Sequence, residues 1–205
     1  MGPARADGAA MRDRPILFSG EMVRAILDGR KTQTRRVIKN INHIKCEVEN
    51  EDGTGSIQWY HTHNGKRLSE IGEDEFFKMC PYGKAGGKLW VRETFWSSPF
   101  GDLAYRATDP DLCVIWKPSI HMPRWASRIT LEITGVRVER LQEISESEIM
   151  AEGCEIDGED LSSTVKGIAR YTWFSDIWDY INEKRGYGWN TNPWVWVVEF
   201  KKVRP

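Results

Sequence analysis

Apolar residues Met22, Val23, Ile26 and Leu27 fall at i, i+1, i+4 and i+5, one face of a 3.6-residue period. Ser19 stands at the N-cap position and Gly29 at the stop, so a short helix is expected between them. The period then changes to two. Thr32, Thr34, Arg36 and Ile38 share one side of an extended segment and Gln33 and Arg35 the other, with Lys31 at the turn, free to point either way. Further strands are expected at Lys88–Thr94 behind Gly86-Gly87, at Ala104–Ala107, at Val114–Lys117 and over Ser127–Arg140. Trp194–Val203 closes the chain as another. Ser145-Glu146-Ser147-Glu148 is a capping box, and Ile144 with Ile149 fits a hydrophobic staple, which starts a helix over about Glu146–Glu152 before Gly153. Tyr171, Phe174, Ile177, Trp178 and Ile181 form the stripe of a helix over roughly 171–185, ended by Gly186, and this stripe reads as core.

Residues 40–80 have little periodicity. Turns at Asn50–Gly55 and Asn64-Gly65 flank a short Ile57–Tyr60 strand, an irregular insertion. Short strands separated by Gly and Pro turns predict an α+β fold built on a small β-barrel, with short flanking helices.

The chain has 205 residues, 40% hydrophobic and 29% charged, which suits one domain over 11–205 behind a flexible leader at 1–10, with Met11 as an alternative start. Lys+Arg 29 against Asp+Glu 30 gives a net charge of −1 and excludes a wholly basic nucleic-acid binder. No apolar run suits a membrane span or a secretion signal, so the expected location is the cytoplasm. Cys46, Cys80, Cys113 and Cys154 form no CxxC pair and read as reduced thiols. His43 with Cys46, and His61 with His63, lack zinc-site spacing, and there is no GxGxxG, P-loop or GxSxG. Neither a metal nor a cofactor is expected.

Near-zero net charge hides a local asymmetry. Residues 29–39 hold five bases (Arg30, Lys31, Arg35, Arg36, Lys39) and no acid, whereas residues 141–160 hold eight acids and no base. Because charges act over a Debye length of about 8–10 Å, such a chain can present a positive cleft to a phosphate. The two runs can equally be solvated faces that attract each other.

Within the basic run, neighbouring cations lower the pKa of Lys31, and a neutral amine three residues from Thr34 could take its hydroxyl proton and make it a nucleophile. Glu152 sits at the negative end of its helix among other acids, where a carboxyl holds its proton more tightly and can serve as a donor. A solvated acidic turn is the plainer alternative. Arg92-Glu93 beside Trp90, and Arg124-Trp125 with Arg128, pair cations with indoles as base-stacking sites do, or form structural ion pairs. Asn192 and Trp194 offer an amide and an aromatic face, or close a barrel end. Of the ten tryptophans, Trp173, Trp178 and Trp196 are expected in the core, and Trp90, Trp125, Trp189 and Trp194 around a base.

Read together, Pro15-Ile16-Leu17-Phe18-Ser19-Gly20, Gly29-Arg30-Lys31-Thr32-Gln33-Thr34-Arg35-Arg36, Leu89-Trp90-Val91-Arg92-Glu93-Thr94-Phe95, Pro123-Arg124-Trp125-Ala126-Ser127-Arg128, Ala151-Glu152-Gly153 and Asn192-Pro193-Trp194-Val195-Trp196 resemble the ASCH-domain family. The likeness is to its long, often prophage-associated members. It implies a PUA-like β-barrel associated with RNA binding, whose cleft is lined by the segment at 29–36. One small bacterial relative is an amidohydrolase acting on N(4)-acetylcytidine. Its lysine base, threonine nucleophile and glutamate proton donor would fall on Lys31, Thr34 and Glu152. The implied partner is RNA or a modified nucleoside, held by Arg30, Arg35, Arg36, Trp90, Arg92, Glu93, Arg124, Trp125, Arg128, Asn192 and Trp194. Other members are implied to cut single-stranded RNA or only to bind it.

Overall fold

A computed structural model describes residues 12–39, 59–63, 66–71, 79–156 and 162–203. The leader at 1–10, Met11, His43, Cys46, both turns of the 40–80 insertion and Asp157, Glu159 and Asp160 lie outside the described residues. The strands are β1 (Arg14–Leu17), β2 (Gln33–Val37), β3 (Trp59–His63), β4 (Lys66–Ile71), β5 (Lys88–Arg92), β6 (Phe95–Ser97), β7 (Leu103–Tyr105), β8 (Thr130–Arg140) and β9 (Trp194–Val203). Five form one sheet in the order β1-β5-β8-β9-β2, and β3-β4 and β6-β7 are separate hairpins. The helices are α1 (Gly20–Leu27), α2 (Glu146–Ala151) and α3 (Ser163–Asn182).

Strand β9 is why two cores exist. Its Trp196, Val198 and Phe200 are buried on one face, with Val23 and Ile26 of α1 and with Ile16, Leu89, Val91, Leu131 and Ile133. Its Val195 and Val197 are buried on the other, with Ile149 of α2 and Phe174 and Trp178 of α3. A strand covered on both sides reads as a continuous apolar run, and Trp194–Val198 does. The capping box that starts α2 is formed: the Glu148 amide donates to Ser145 Oγ, and the Ser145 amide donates to Glu148 Oε2 at 2.8 Å.

The sheet does not close into the expected barrel. β1 and β2 are its two edges and are not hydrogen-bonded to each other. β1 is four residues long, includes Pro15 with no N–H to donate, and pairs in parallel with β5. A side chain crosses the seam instead: the Arg36 guanidinium donates to the Leu17 carbonyl at 2.6 Å and lies 5.2 Å from the Phe18 ring centre.

Three other expectations change. Val114–Lys117 is not a strand; only Lys117 bridges, to Phe95, and Ile115 is 89% exposed with no sheet to join. Helix α3 starts at Ser163 rather than near 171, because Ser162 caps it by accepting from the Val165 amide, and its early Val165 and Ile168 face solvent. Tyr171 and Ile181 of the expected stripe are partly exposed, at 37% and 45%, whereas Phe174 and Trp178 are buried. Cys80 and Cys154 are buried free thiols and Cys113 an exposed one. Among the described residues, no helix is long and apolar enough to cross a membrane.

Candidate functional site

Lys31 is held by the turn that leaves α1. The Arg30 and Lys31 amides both donate to the Ala25 carbonyl, at 2.9 and 3.0 Å, and the Thr32 amide donates to Ala151 of α2 at 2.9 Å. The C-terminal end of α2 therefore lies directly on this turn. Lys31 Nζ donates to the Glu152 carbonyl at 2.8 Å and to Glu152 Oε2 at 2.6 Å, with the side chains only 2% and 7% exposed. Burial pushes the Lys31 amine below the ordinary lysine range, Glu152 pulls it back up, and the nearby Arg36 and Arg35 charges lower it further. The amine also lies 5.7 Å from the centre of the Phe18 ring, so it spans the seam edge between both cores.

Gly153 makes this approach possible. Its φ is +101°, and a Cβ there would stand 3.0 Å from Ala25 Cβ and 3.3 Å from Lys31 Cβ. Gly29 has a φ of +80° with nothing within 4 Å of such a Cβ. Both alanine variants should lose stability through backbone strain, about 1–3 kcal/mol. Gly153→Ala should lose more than Gly29→Ala, because only it also displaces the lysine stem; urea midpoints of the two variants make the comparison.

On the α2 side of β2, Arg35 is enclosed by acids. Its Nη2 lies 2.9 Å from Glu139 Oε2 and 3.2 Å from Glu148 Oε2, and its Nη1 lies 3.5 Å from Glu152 Oε1. Arg137 joins the network through Glu139, Glu148 and Glu199, and Gln33 Nε2 donates to the Glu148 carbonyl at 3.0 Å. The register explains the grouping, since Arg35 and Arg137 both pair with Val197 from opposite sides of β9. Burial alone would raise the Glu148 carboxyl. The Ser145 hydrogen bonds with the Arg35 and Arg137 charges outweigh burial and hold it below the usual range. Glu146 pairs with Arg170 and Glu155 with Arg30, so described members of the acidic run neutralise cations of this chain. Glu152 is thus met by Lys31 and Arg35, not by the crowd of acids that its sequence neighbourhood suggested.

Thr34 and Arg36 point to the α1 side. Thr34 is 4% exposed, and its hydroxyl makes no hydrogen bond with the described residues. No hydrogen bond joins it to Lys31 or Glu152. Arg36 Nε is sealed without a partner. Tyr82, absent from the sequence expectations, packs against this core; burial pushes its phenol up and the Arg36 charge opposes that. It sits in a Pro-Tyr-Gly turn without periodicity, so its only sequence signal was an aromatic residue between two turn formers.

The remaining expected binding residues do not line one cleft. Trp90 and Arg92 alternate with core residues Leu89 and Val91 and therefore face away from Phe18. Glu93, 1% exposed, receives Arg128 Nε at 2.9 Å and Nη2 at 3.0 Å, and that guanidinium lies 4.0 Å from the Tyr105 ring centre. Asn192 (φ +42°) uses its side-chain oxygen to accept from the Gln142 amide at 2.9 Å, and its carbonyl accepts from Arg140. Trp194 stacks with Arg140 at 4.5 Å. Trp189 packs at 6.0 Å on Phe174 and belongs to the α3 core, contrary to expectation.

No family model and no curated protein sequence matches this chain. Among solved structures it is similar to protein EF3133 from Enterococcus faecalis V583, of family model DUF984, at 11% identity and TM-score 0.42, covering 94% of this chain and 80% of that one. It is also similar to an ASCH domain from Lactobacillus crispatus JV V101, at 14% identity and TM-score 0.35, covering 88% and 69%.

Proposed function

We propose that the protein binds RNA or a modified nucleoside at the open seam between β1 and β2 and hydrolyses an acyl amide on it, as in an N(4)-acetylated cytidine. The supporting observation is the buried amine of Lys31, whose pKa is lowered, on the turn that leads into the strand of Thr34, whose hydroxyl has no hydrogen bond among the described residues. Lys31 passes its proton to Glu152 Oε2, 2.6 Å away, and becomes the base. The neutral amine takes the Thr34 proton as Thr34 Oγ1 attacks the acyl carbon. The tetrahedral species collapses, the C–N bond breaks, and the departing amine takes the proton from Glu152. Water then cleaves the acyl-threonine and regenerates the hydroxyl.

Thr34→Ala should lower turnover of N(4)-acetylcytidine by about 10⁴-fold or more at unchanged melting temperature, while Thr34→Ser keeps a measurable fraction. Unchanged turnover in Thr34→Ala would overturn the nucleophile assignment. Cleavage of single-stranded RNA would instead select a ribonuclease, with Lys31 and Glu152 as proton carriers. Salt-sensitive RNA affinity without any turnover would select a binding module.

A further inference from the structure

The two oxygens of the Glu152 carboxylate are divided between cations that reach it from different sides. Lys31 Nζ, on the turn that leaves α1, lies 2.6 Å from Oε2, and Arg35 Nη1, on the α2 side of β2, lies 3.5 Å from Oε1. Arg35 is itself fixed at its other terminal nitrogen, where Nη2 meets Glu139 and Glu148. Glu148 in turn accepts from the Ser145 amide and hydroxyl, both at 2.8 Å, within the cap of α2. A chain of contacts therefore runs from a helix cap through Glu148 and Arg35 to Glu152 and ends on the Lys31 amine.

Two physical consequences follow from that chain. The terminal torsion of a glutamate is broad and two-fold, so a carboxylate held by one oxygen swings, whereas one held at both keeps its orientation. A planar guanidinium spans several carboxylates at fixed angles, and a lysine ammonium, a point charge on a flexible stem, does not. The second consequence is electrostatic. The groups facing the Lys31 amine are the Glu152 carboxylate and carbonyl, the Phe18 ring, and the Arg36 and Arg35 charges. Burial is the main cause that holds the amine low and Glu152 opposes it, while Arg36 and Arg35 both disfavour the ammonium. With its side chain 1% exposed and carboxylates around it, Arg35 presents no open edge to a phosphate.

We infer that Arg35 is a positioning residue rather than a ligand-binding one: it fixes the Glu152 carboxylate from the far side of β2 and so keeps Oε2 on the Lys31 amine. This rests on Lys31, Thr34 and Glu152 being the reacting groups. Wild type, Arg35→Gln and Arg35→Lys are compared on N(4)-acetylcytidine, with rates taken per folded protein below the melting temperature. Arg35→Gln should lower kcat about tenfold to a hundredfold and leave KM within about twofold. The limb of its pH–rate profile that reports the Lys31 base should move to higher pH, because one charge that opposes protonation of Lys31 is gone. Arg35→Lys keeps the charge and loses the fork, so its limb should stay in place while kcat still falls. If Arg35→Gln does not fold, kcat against KM in Arg35→Lys decides alone. A ¹³C NMR titration of Lys31 in lysine-labelled protein reads the same shift without turnover. A raised KM at wild-type kcat in either variant, or an unmoved Lys31 titration in Arg35→Gln, would overturn the inference. A moved Lys31 titration in a protein whose wild type does not hydrolyse the amide keeps Arg35 in this role toward the Lys31–Glu152 pair and removes the proposed chemistry instead.

Discussion

Glu152→Ala is expected to destabilise the fold by about 3–5 kcal/mol near neutral pH, because it leaves Lys31 charged and buried with no anion. Lys31 is 2% exposed and has the Glu152 carboxylate as its ion-pair partner. The lost energy is mainly the desolvation of a stranded ammonium, so it depends on the charge of Lys31. The folded-state pKa of Lys31 already lies below its unfolded value, and removing Glu152 lowers it further. A lysine lowered in this way costs stability in full below its folded pKa, and that cost is lost as pH rises from the folded toward the unfolded value. The deficit of Glu152→Ala should therefore shrink toward alkaline pH. Lys31→Met with Glu152→Leu, which removes both charges, should be far milder than the single change. Urea unfolding of the single and double variants across pH measures both effects. An equally unstable double variant would show that packing, not the pair, sets the cost.

Arg35→Met should be as damaging, with the opposite pH dependence. Arg35, with its side chain 1% exposed, contacts Glu139, Glu148 and Glu152 at 2.9, 3.2 and 3.5 Å. Without it, carboxylates gathered on one face of β2 repel one another, and among the described residues only the Arg137 cation is left to Glu139 and Glu148. A cost of about 3–5 kcal/mol at neutral pH follows from the breaking of a buried ionic network. In the wild type, the folded pKa of Glu148 is depressed, so its contribution is present above the unfolded carboxyl value of about 4.3 and is lost as pH falls through the folded one. In Arg35→Met, protonation relieves repulsion instead. The gap to wild type should thus narrow as pH falls toward about 4–5, where Glu152→Ala gains nothing. A gap that does not change with pH would mean that Arg35 acts through its volume alone.

These two arginine and lysine positions show how far the residues could be read directly. Local patterns specify local structure: the Ser19 cap, the Ser145–Glu148 box and Gly186 as a stop all act within a few residues, and each operates in the fold as expected. The alternation in β2, with Thr34 and Arg36 against Gln33 and Arg35, followed from period two alone. Even the attraction of the basic and acidic runs could be anticipated, because it is a matter of net charge per segment. What could not be anticipated was pairing. Lys31 meets Glu152 across 121 positions, and Arg35 meets Glu139 across 104. Tyr82 reaches the Arg36 neighbourhood through a turn with no repeating pattern.

Closure is decided at the same level. Whether strands form a barrel depends on whether the two edges can supply matched N–H and C=O groups to each other, which no single segment encodes. Here the edges are a four-residue β1 containing Pro15 and a β2 whose Arg36 takes a β1 carbonyl by its side chain, so the seam stays open. Residues within a few positions of one another are enough to set the local elements, the faces of each strand and the imbalance of charge. Folding of the whole chain settles which charges neutralise one another, with Lys31 meeting Glu152 and Arg35 meeting Glu139 and Glu148. The former depend on neighbours a few bonds away, the latter on which distant surfaces the two cores bring together.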